Sequence, residues 1–178
     1  MLENKLLNYA FIFIFIFERL IELYVNRFNK AFMVNKYFAK VKYPDEALQM
    51  RLFHTIWFIA LIAETYFSGV LMTGFWFYFC VAVLILAQVV RWYAIYTLGP
   101  FWSVDVYEVN HHPIIKKGPY AYVKHPNYYA VLTEFIVLPL LLGCYSTLIV
   151  GTIFNMIILK RRIQLEEDAL RQQGQVQF

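Results

Sequence analysis

The chain has 178 residues, 61% hydrophobic and 20% aromatic, with only 16% charged and a formal net charge of +4. Soluble domains carry about a quarter charged residues, so this composition excludes an ordinary water-soluble globule and points to membrane insertion. Lysine and arginine gather in loops rather than along a stripe, which sets nucleic-acid binding aside in favour of membrane orientation.

Leu6 to Val25 is the first expected span, about 20 residues and so about 30 Å as a helix. Its FIFIFIF run is apolar on both faces, unlike a barrel strand, which alternates apolar with polar. The run leads into Glu18-Arg19 without a small-residue cleavage site, so no removable signal peptide is expected. Asn26 to Met50 reads as a polar connection carrying Arg27, Lys30, Lys36, Lys40 and Lys42. Arg51 to Met72 and Gly74 to Leu98 are the second and third spans, a tight antiparallel hairpin.

Gly99 to Lys124 is a long connection rich in aromatics, proline and histidine, of a length that is usually functional. Pro126 to Leu159 is too long for one span and is broken by Pro139, Gly143 and the turn beginning at Cys144. It fits two short antiparallel helices, at about 127–142 and 145–160. The chain closes on Lys160, Arg161, Arg162 and an amphipathic stub. No repeat or low-complexity linker divides it, so one domain over 1–178 is expected. Cys80 and Cys144 lie in apolar surroundings and read as packed thiols.

The expected fold class is therefore an all-α integral membrane protein with five transmembrane helices, the last two a short helical hairpin. The loop after the first span, the loop after the third and the C-terminal tail are basic, while the other two turns carry no lysine or arginine. This places the N-terminus outside and the C-terminus in the cytoplasm of a multi-pass protein, with the bacterial cell membrane as its expected location.

Ionisable residues inside spans are costly and are functional candidates by default. Glu18, Arg91 and Glu134 fall about 10 to 12 Å from the inner ends of their helices, and His54 about 5 Å inside its own. Glu64 lies nearer the outer face. Two readings stand side by side. In one, Arg19 snorkels to the interface and Arg91 pairs with Glu134 or Glu18 as glue between helices. In the other, these groups line a polar pocket that meets a lipid head group.

Five short segments follow one another in a fixed order: His112-Pro113-Ile114-Ile115, Gly118-Pro119-Tyr120, Lys124-His125-Pro126-Asn127-Tyr128, an apolar hairpin, and Arg162 through Glu166-Glu167. The series resembles the isoprenylcysteine carboxyl methyltransferase family of integral membrane enzymes, in particular its short bacterial members. The likeness covers the C-terminal half by motif and the N-terminal half by hydropathy alone.

It implies a cytoplasmic S-adenosylmethionine pocket built from the long loop, the start of the fourth span and the tail. His112, Pro113, Ile114 and Ile115 would line one side of the cofactor, Tyr120, His125, Pro126, Asn127 and Tyr128 another, with Glu166 also touching it. Arg162 would face the acidic group of a lipidic substrate. Lys124 stands where the family usually has arginine. Gln164 stands where many bacterial relatives repeat arginine, which bears on the substrate's charge.

The chemistry of these residue types agrees with that assignment. Carboxylates at Glu166 or Glu167 accept from ammonium or ribose donors, and tyrosine faces suit a flat base and a cationic sulfur. Pro119 and Pro126 pre-set the backbone around them. Methyl transfer from an activated donor asks the protein mainly for positioning and charge placement. The expected reaction is O-methylation of a carboxylate or hydroxyl on a lipophilic small molecule or membrane lipid.

Arg162, Glu134 and Arg91 are the candidate catalytic residues. A hydroxyl acceptor would also need a base, for which Glu134, Glu18 and His125 are candidates. No metal is expected, because His111-His112 lacks further ligands at suitable spacing. Phospholipid N-methylation and a non-enzymatic transport or assembly role are the alternatives; the sequence sets no oligomeric state.

Overall fold

The structure, a computed structural model, describes residues 2–108 and 115–172. It is built from five helices: α1 (Leu2–Tyr37), α2 (Pro44–Phe67), α3 (Phe75–Leu98), α4 (Pro126–Leu142) and α5 (Tyr145–Gln172). Two short strands, β1 (Lys40–Val41) and β2 (Tyr107–Glu108), pair antiparallel with Lys40 opposite Glu108. Single 3-10 turns occupy Gly99–Phe101 and Gly118–Ala121. One end of the bundle, the loop end, gathers the strands, the described parts of the connection (99–108 and 115–125) and the end of α5. The opposite end, with the turns at 68–74 and 143–144, is the turn end.

Each expected span corresponds to a helix, but α1 runs well past Val25, to Tyr37. Hydropathy marks where apolar side chains stop, not where a helix must. Residues 26–37 contain no proline or glycine and include the good helix formers lysine, alanine, methionine and arginine. At 1.5 Å per residue α1 is about 54 Å long. Its polar end docks the long connection. Asn29 Nδ2 donates to the carbonyls of Gly99 (3.2 Å) and Trp102 (2.8 Å). Asn26 Oδ1 accepts from Ser103 Oγ (2.8 Å) and the Val104 amide (2.9 Å). Beneath these bonds Met33 is buried, and the rings of Phe32, Tyr37 and Phe101 meet edge to face or tilted.

Proline sets two helix starts. Pro44 and Pro126 each occupy a first helical turn, where the missing amide costs nothing and the fixed φ suits the helix. At the turn end, α4 stops at Gly143, which is left-handed at φ 69°. A β-carbon there would lie 2.4 Å from the Val70 carbonyl oxygen, so only glycine admits the close crossing of the two turns. The Met72 amide bonds to the Leu141 carbonyl at 2.9 Å across the same crossing. Glu64 then caps α5 from another helix, accepting from the amides of Ser146 (2.8 Å) and Thr147 (2.7 Å) and from Thr147 Oγ1 (2.6 Å).

The core runs through α4, which packs against α3 and α5. Phe135 stacks on Trp57 with ring centroids 4.0 Å apart, among buried Leu61, Leu84, Leu138 and Leu141. The outside is apolar too: Phe13, Phe17, Ile85, Leu86, Val89, Ile153 and Ile157 are all exposed. Continuous exposed apolar surface of this kind is what a chain surrounded by lipid presents. By length and composition, Phe75–Phe101 is the one stretch among the described residues long and apolar enough to cross a membrane, and α4 is a shorter apolar helix.

Candidate active site

Three helices, α1, α3 and α4, send charges to one buried centre. Arg91 is fully buried on α3, with Nη1 2.6 Å from Glu134 Oε1 and 3.2 Å from Glu22 Oε1. Its N–H groups are not aligned on either carboxylate, so the attraction is one of charge rather than of directed hydrogen bonds. Arg19 also binds Glu134 and, at 2.5 Å, Glu22; Gln88 Nε2 donates to Glu134. Glu18 stands apart and accepts from Trp92 Nε1 at 3.0 Å.

Arg19 therefore does not snorkel. With one carboxylate a turn further along its own helix and another across on α4, turning inward satisfies the guanidinium without solvent. Glu22, absent from the sequence reading, is central here. Its spacings of three from Arg19 and four from Glu18 are the signal that identifies it.

Beside this network lies a cavity of about 540 Å3 enclosed by α1, α2, α4, α5 and the 102–104 segment. Leu20, Ile59 and Ile62 line it and are also exposed, so it reaches the outer surface between α1 and α2. Arg19, Glu22 and His54 face its middle. Its loop end is polar, with Arg51, Ser103, Asn127, Tyr128 and Arg162. Arg91 and Glu134, both expected among the catalytic groups, line no described cavity; they lie behind the wall, where Glu134 binds Arg19.

The C-terminal motifs meet at that loop end. Arg162 is buried, with Nε 2.8 Å from Glu166 Oε1 and 3.3 Å from the Tyr128 hydroxyl. The Tyr128 hydroxyl donates to the same Glu166 oxygen. His125 stacks on Tyr128 at 5.4 Å, and its ring nitrogens lie 3.7 Å from Glu166 and Glu167. Lys124 Nζ is 3.7 Å from Glu167.

Burial works against the Arg162 charge, but Glu166 and Tyr128 more than offset it, so the guanidinium is held above its ordinary range. Burial, with Glu166 nearby, pushes the Tyr120 phenol up as well. Local backbone explains the approach of Tyr120. Gly118 is at φ 53°, and a β-carbon there would meet Thr97 Oγ1 at 2.8 Å and the Tyr93 ring at 3.0 Å. Glycine lets this turn close onto α3, and Tyr120 follows inward.

Pro126 and Asn127 open α4 beside these groups, and Ile115 is half-buried ahead of the turn. His112, Pro113 and Ile114 lie outside the described residues. A second cavity of about 520 Å3 sits between α4 and α5, with Lys124, His125, Tyr129, Lys160 and Gln164 in its wall. Tyr128 and Leu159 line both cavities, so they form the partition between them.

The donor set suits S-adenosylmethionine. Arg162 Nη1, Asn127 Oδ1 and His125 Nε2 are buried without a hydrogen-bond partner in the protein. The cationic donor and the amide acceptor stand at the first cavity and the imidazole nitrogen at the second, across the Tyr128 partition; they are groups that a carboxylate, an ammonium and hydroxyls would satisfy. The aromatic faces of Tyr128 and His125 adjoin them.

Comparison with known proteins identifies the family. The profile of the isoprenylcysteine carboxyl methyltransferase (ICMT) family matches residues 80–172, just over half of the chain. The chain is 36% identical over 119 residues, covering 67% of it and 70% of the relative, to the uncharacterized protein YpbQ of Bacillus subtilis (strain 168). It is also 37% identical over 90 residues to an uncharacterized protein of Haemophilus influenzae, covering 50% of this chain and 52% of that one. No solved structure gives a significant match. The matched region begins on α3 and takes in every described motif of the loop-end cluster: the chain belongs to the isoprenylcysteine carboxyl methyltransferase family, whose members are membrane-associated methyltransferases.

Proposed function

We propose that the protein is an S-adenosylmethionine-dependent integral membrane methyltransferase that O-methylates a carboxylate or hydroxyl of a long-chain amphiphile. The observation that carries this reading is Arg162. It is buried, with Nη1 unpartnered, at the polar end of a cavity whose other end is apolar and reaches the outer surface. An amphiphile entering between α1 and α2 leaves its tail against Leu20, Phe58 and Ile59 and brings its head to Arg162.

In this reading all five helices cross the membrane as one domain, with the loop end in the cytoplasm and the N-terminus outside. Bound cofactor would supply an activated methyl group. Asn127, Tyr128, His125, Tyr120 and Glu166 would hold it, together with the 112–115 segment. Arg162 orients the acceptor and stabilises negative charge on its oxygen, and Tyr128 and Glu166 fix the guanidinium for that task. Closure of the site by lipid and protein keeps water from competing for the methyl group.

The cavity carries Arg19, Arg51 and Arg162 against Glu22. An amine acceptor would meet that cationic excess unfavourably, which speaks against phospholipid N-methylation. Calorimetry of the purified protein with S-adenosylhomocysteine tests the reading. Binding is expected, weakened by Glu166→Ala and Tyr128→Ala; a folded sample that does not bind would overturn it.

A further inference from the structure

Methylating a hydroxyl requires a group to take its proton, whereas a carboxylate acceptor needs none. Of the acidic or basic side chains near the cavity, most are already engaged. Glu134 is closed in by Arg19, Arg91 and Gln88, and Glu18 accepts from Trp92. Glu22 is held by Arg19 and Arg91. His125 faces Glu166, Glu167 and the second cavity.

His54 differs. It is half-buried on α2 and lines the first cavity. Its Nδ1 lies 2.8 Å from the Met50 carbonyl oxygen. A carbonyl can only accept, so Nδ1 carries the hydrogen and Nε2 keeps its lone pair. Nε2 has no hydrogen-bond partner among the described residues. The ring is fixed edge-on against Phe135 (5.3 Å, 88°) and Phe53 (6.0 Å, 81°). Tautomer and orientation are thus both set before any ligand arrives.

Its position suits the head of an amphiphile. Arg161 Nε pairs with Glu46 at 2.6 Å, so the adjacent Arg162 sits near the level of Glu46. His54 is two turns deeper, about 12 Å along the axis. Side chains lean toward the N-terminus of their own helix. α2 starts at the loop end and α5 finishes there, so His54 leans toward the loop end and Arg162 leans into the bundle. The two converge on one space from opposite levels.

We infer that His54 Nε2 is the general base of this site, and that the acceptor class is a hydroxyl on an amphiphile. The inference rests on the methyl-transfer reading above. The acceptor oxygen gives its proton to His54 Nε2 and forms its new bond to the methyl carbon of a sulfonium donor. The neutral thioether leaves with the electron pair of the broken carbon–sulfur bond. The imidazolium then returns its proton to water at the polar end of the cavity. Arg19 and Glu22 on α1, Arg51 on α2, Glu134 on α4 and Arg162 on α5 are the charged groups around it, with Asp105 3.9 Å from Arg51. The base must be unprotonated, so turnover falls as pH falls through its ionisation.

The test uses the full chain in lipid nanodiscs, with methyl transfer from S-adenosylmethionine to para-dodecylphenol and, separately, to para-dodecylbenzoate. Wild-type protein is expected to methylate the phenol with an acid limb in kcat. His54→Gln and His54→Phe should each lose about 100-fold in kcat toward the phenol and lose that limb. S-adenosylhomocysteine affinity should be unchanged in both. His54→Phe preserves ring packing, so a Phe variant as active as wild type, with the same pH profile, would show that the ring only packs and would overturn the inference. Transfer to the benzoate alone, or to neither probe, by wild-type protein that binds S-adenosylhomocysteine would overturn it too, while leaving the cofactor reading intact. Folded wild-type protein that binds no S-adenosylhomocysteine would overturn the methyl-transfer reading and the inference with it.

Discussion

Two groups of arginines and glutamates lie close together in this molecule, and they differ in what they leave undone. In the buried network, Arg19 and Arg91 face Glu22 and Glu134, and each charge has an opposite within reach. Faces of three helices, α1, α3 and α4, meet there, and no described cavity touches Arg91 or Glu134. At the loop end, Arg162 satisfies one edge of its guanidinium with Glu166 and Tyr128 and leaves Nη1 open beside a cavity. The same residue types give cohesion in one place and a binding position in the other. What separates Arg91 from Arg162 is adjoining space, not burial, since both are buried; Arg19 and Glu22 form the side of the network that meets the cavity.

Breaking the network should produce the largest effect. Arg91→Ala leaves Glu134 and Glu22 short of a countercharge, at a cost of about 3–5 kcal/mol. The expected outcome is loss of folded protein, seen as an early transition in a thermal melt in detergent. Removing both partners, as Arg91→Met with Glu134→Leu, should recover much of that loss, because the remaining Arg19–Glu22 pair is self-contained. Equal instability of the single and double variants would erase the distinction drawn above.

Arg162→Lys addresses the other side of the comparison. Lysine keeps the charge but loses the planar fork that meets Glu166, Tyr128 and a ligand together. Activity should fall about 100-fold while the melting transition moves little. A large loss of stability would place Arg162 with the network instead.

The smallest effect is expected far from both groups. Glu64→Ala removes the cap of α5 and should cost about 1 kcal/mol, with kcat unchanged. Altered turnover would mean that the turn end communicates with the site.

The helices were readable because long apolar runs with proline or glycine at their ends leave few alternatives. Arg162, Glu166 and Tyr128 stand in motifs that resemble the family's, and the structure brings the three side chains together. The α1 extension was not, because residues 26–37 are polar and their helix is held by Gly99, Trp102 and Ser103, some 70 positions away. Pairing of β1 with β2 is equally non-local. Nothing local in the sequence pairs Arg19 with Glu134, its strongest partner, which lies on a helix 115 positions along the chain. The free nitrogen of His54 depends on a tautomer, which only the bond to Met50 reveals.

One further consequence follows from α5 being unbroken from Tyr145 to Gln172. Arg162 and Glu166 have no loop of their own to adjust them, so their angular phase is inherited from the end that Glu64 anchors. Adding or deleting a single residue between the anchor and Arg162 would swing the guanidinium by about 100° around the rod. The length of this stretch is therefore as much a part of the site as the residues that stand at its end.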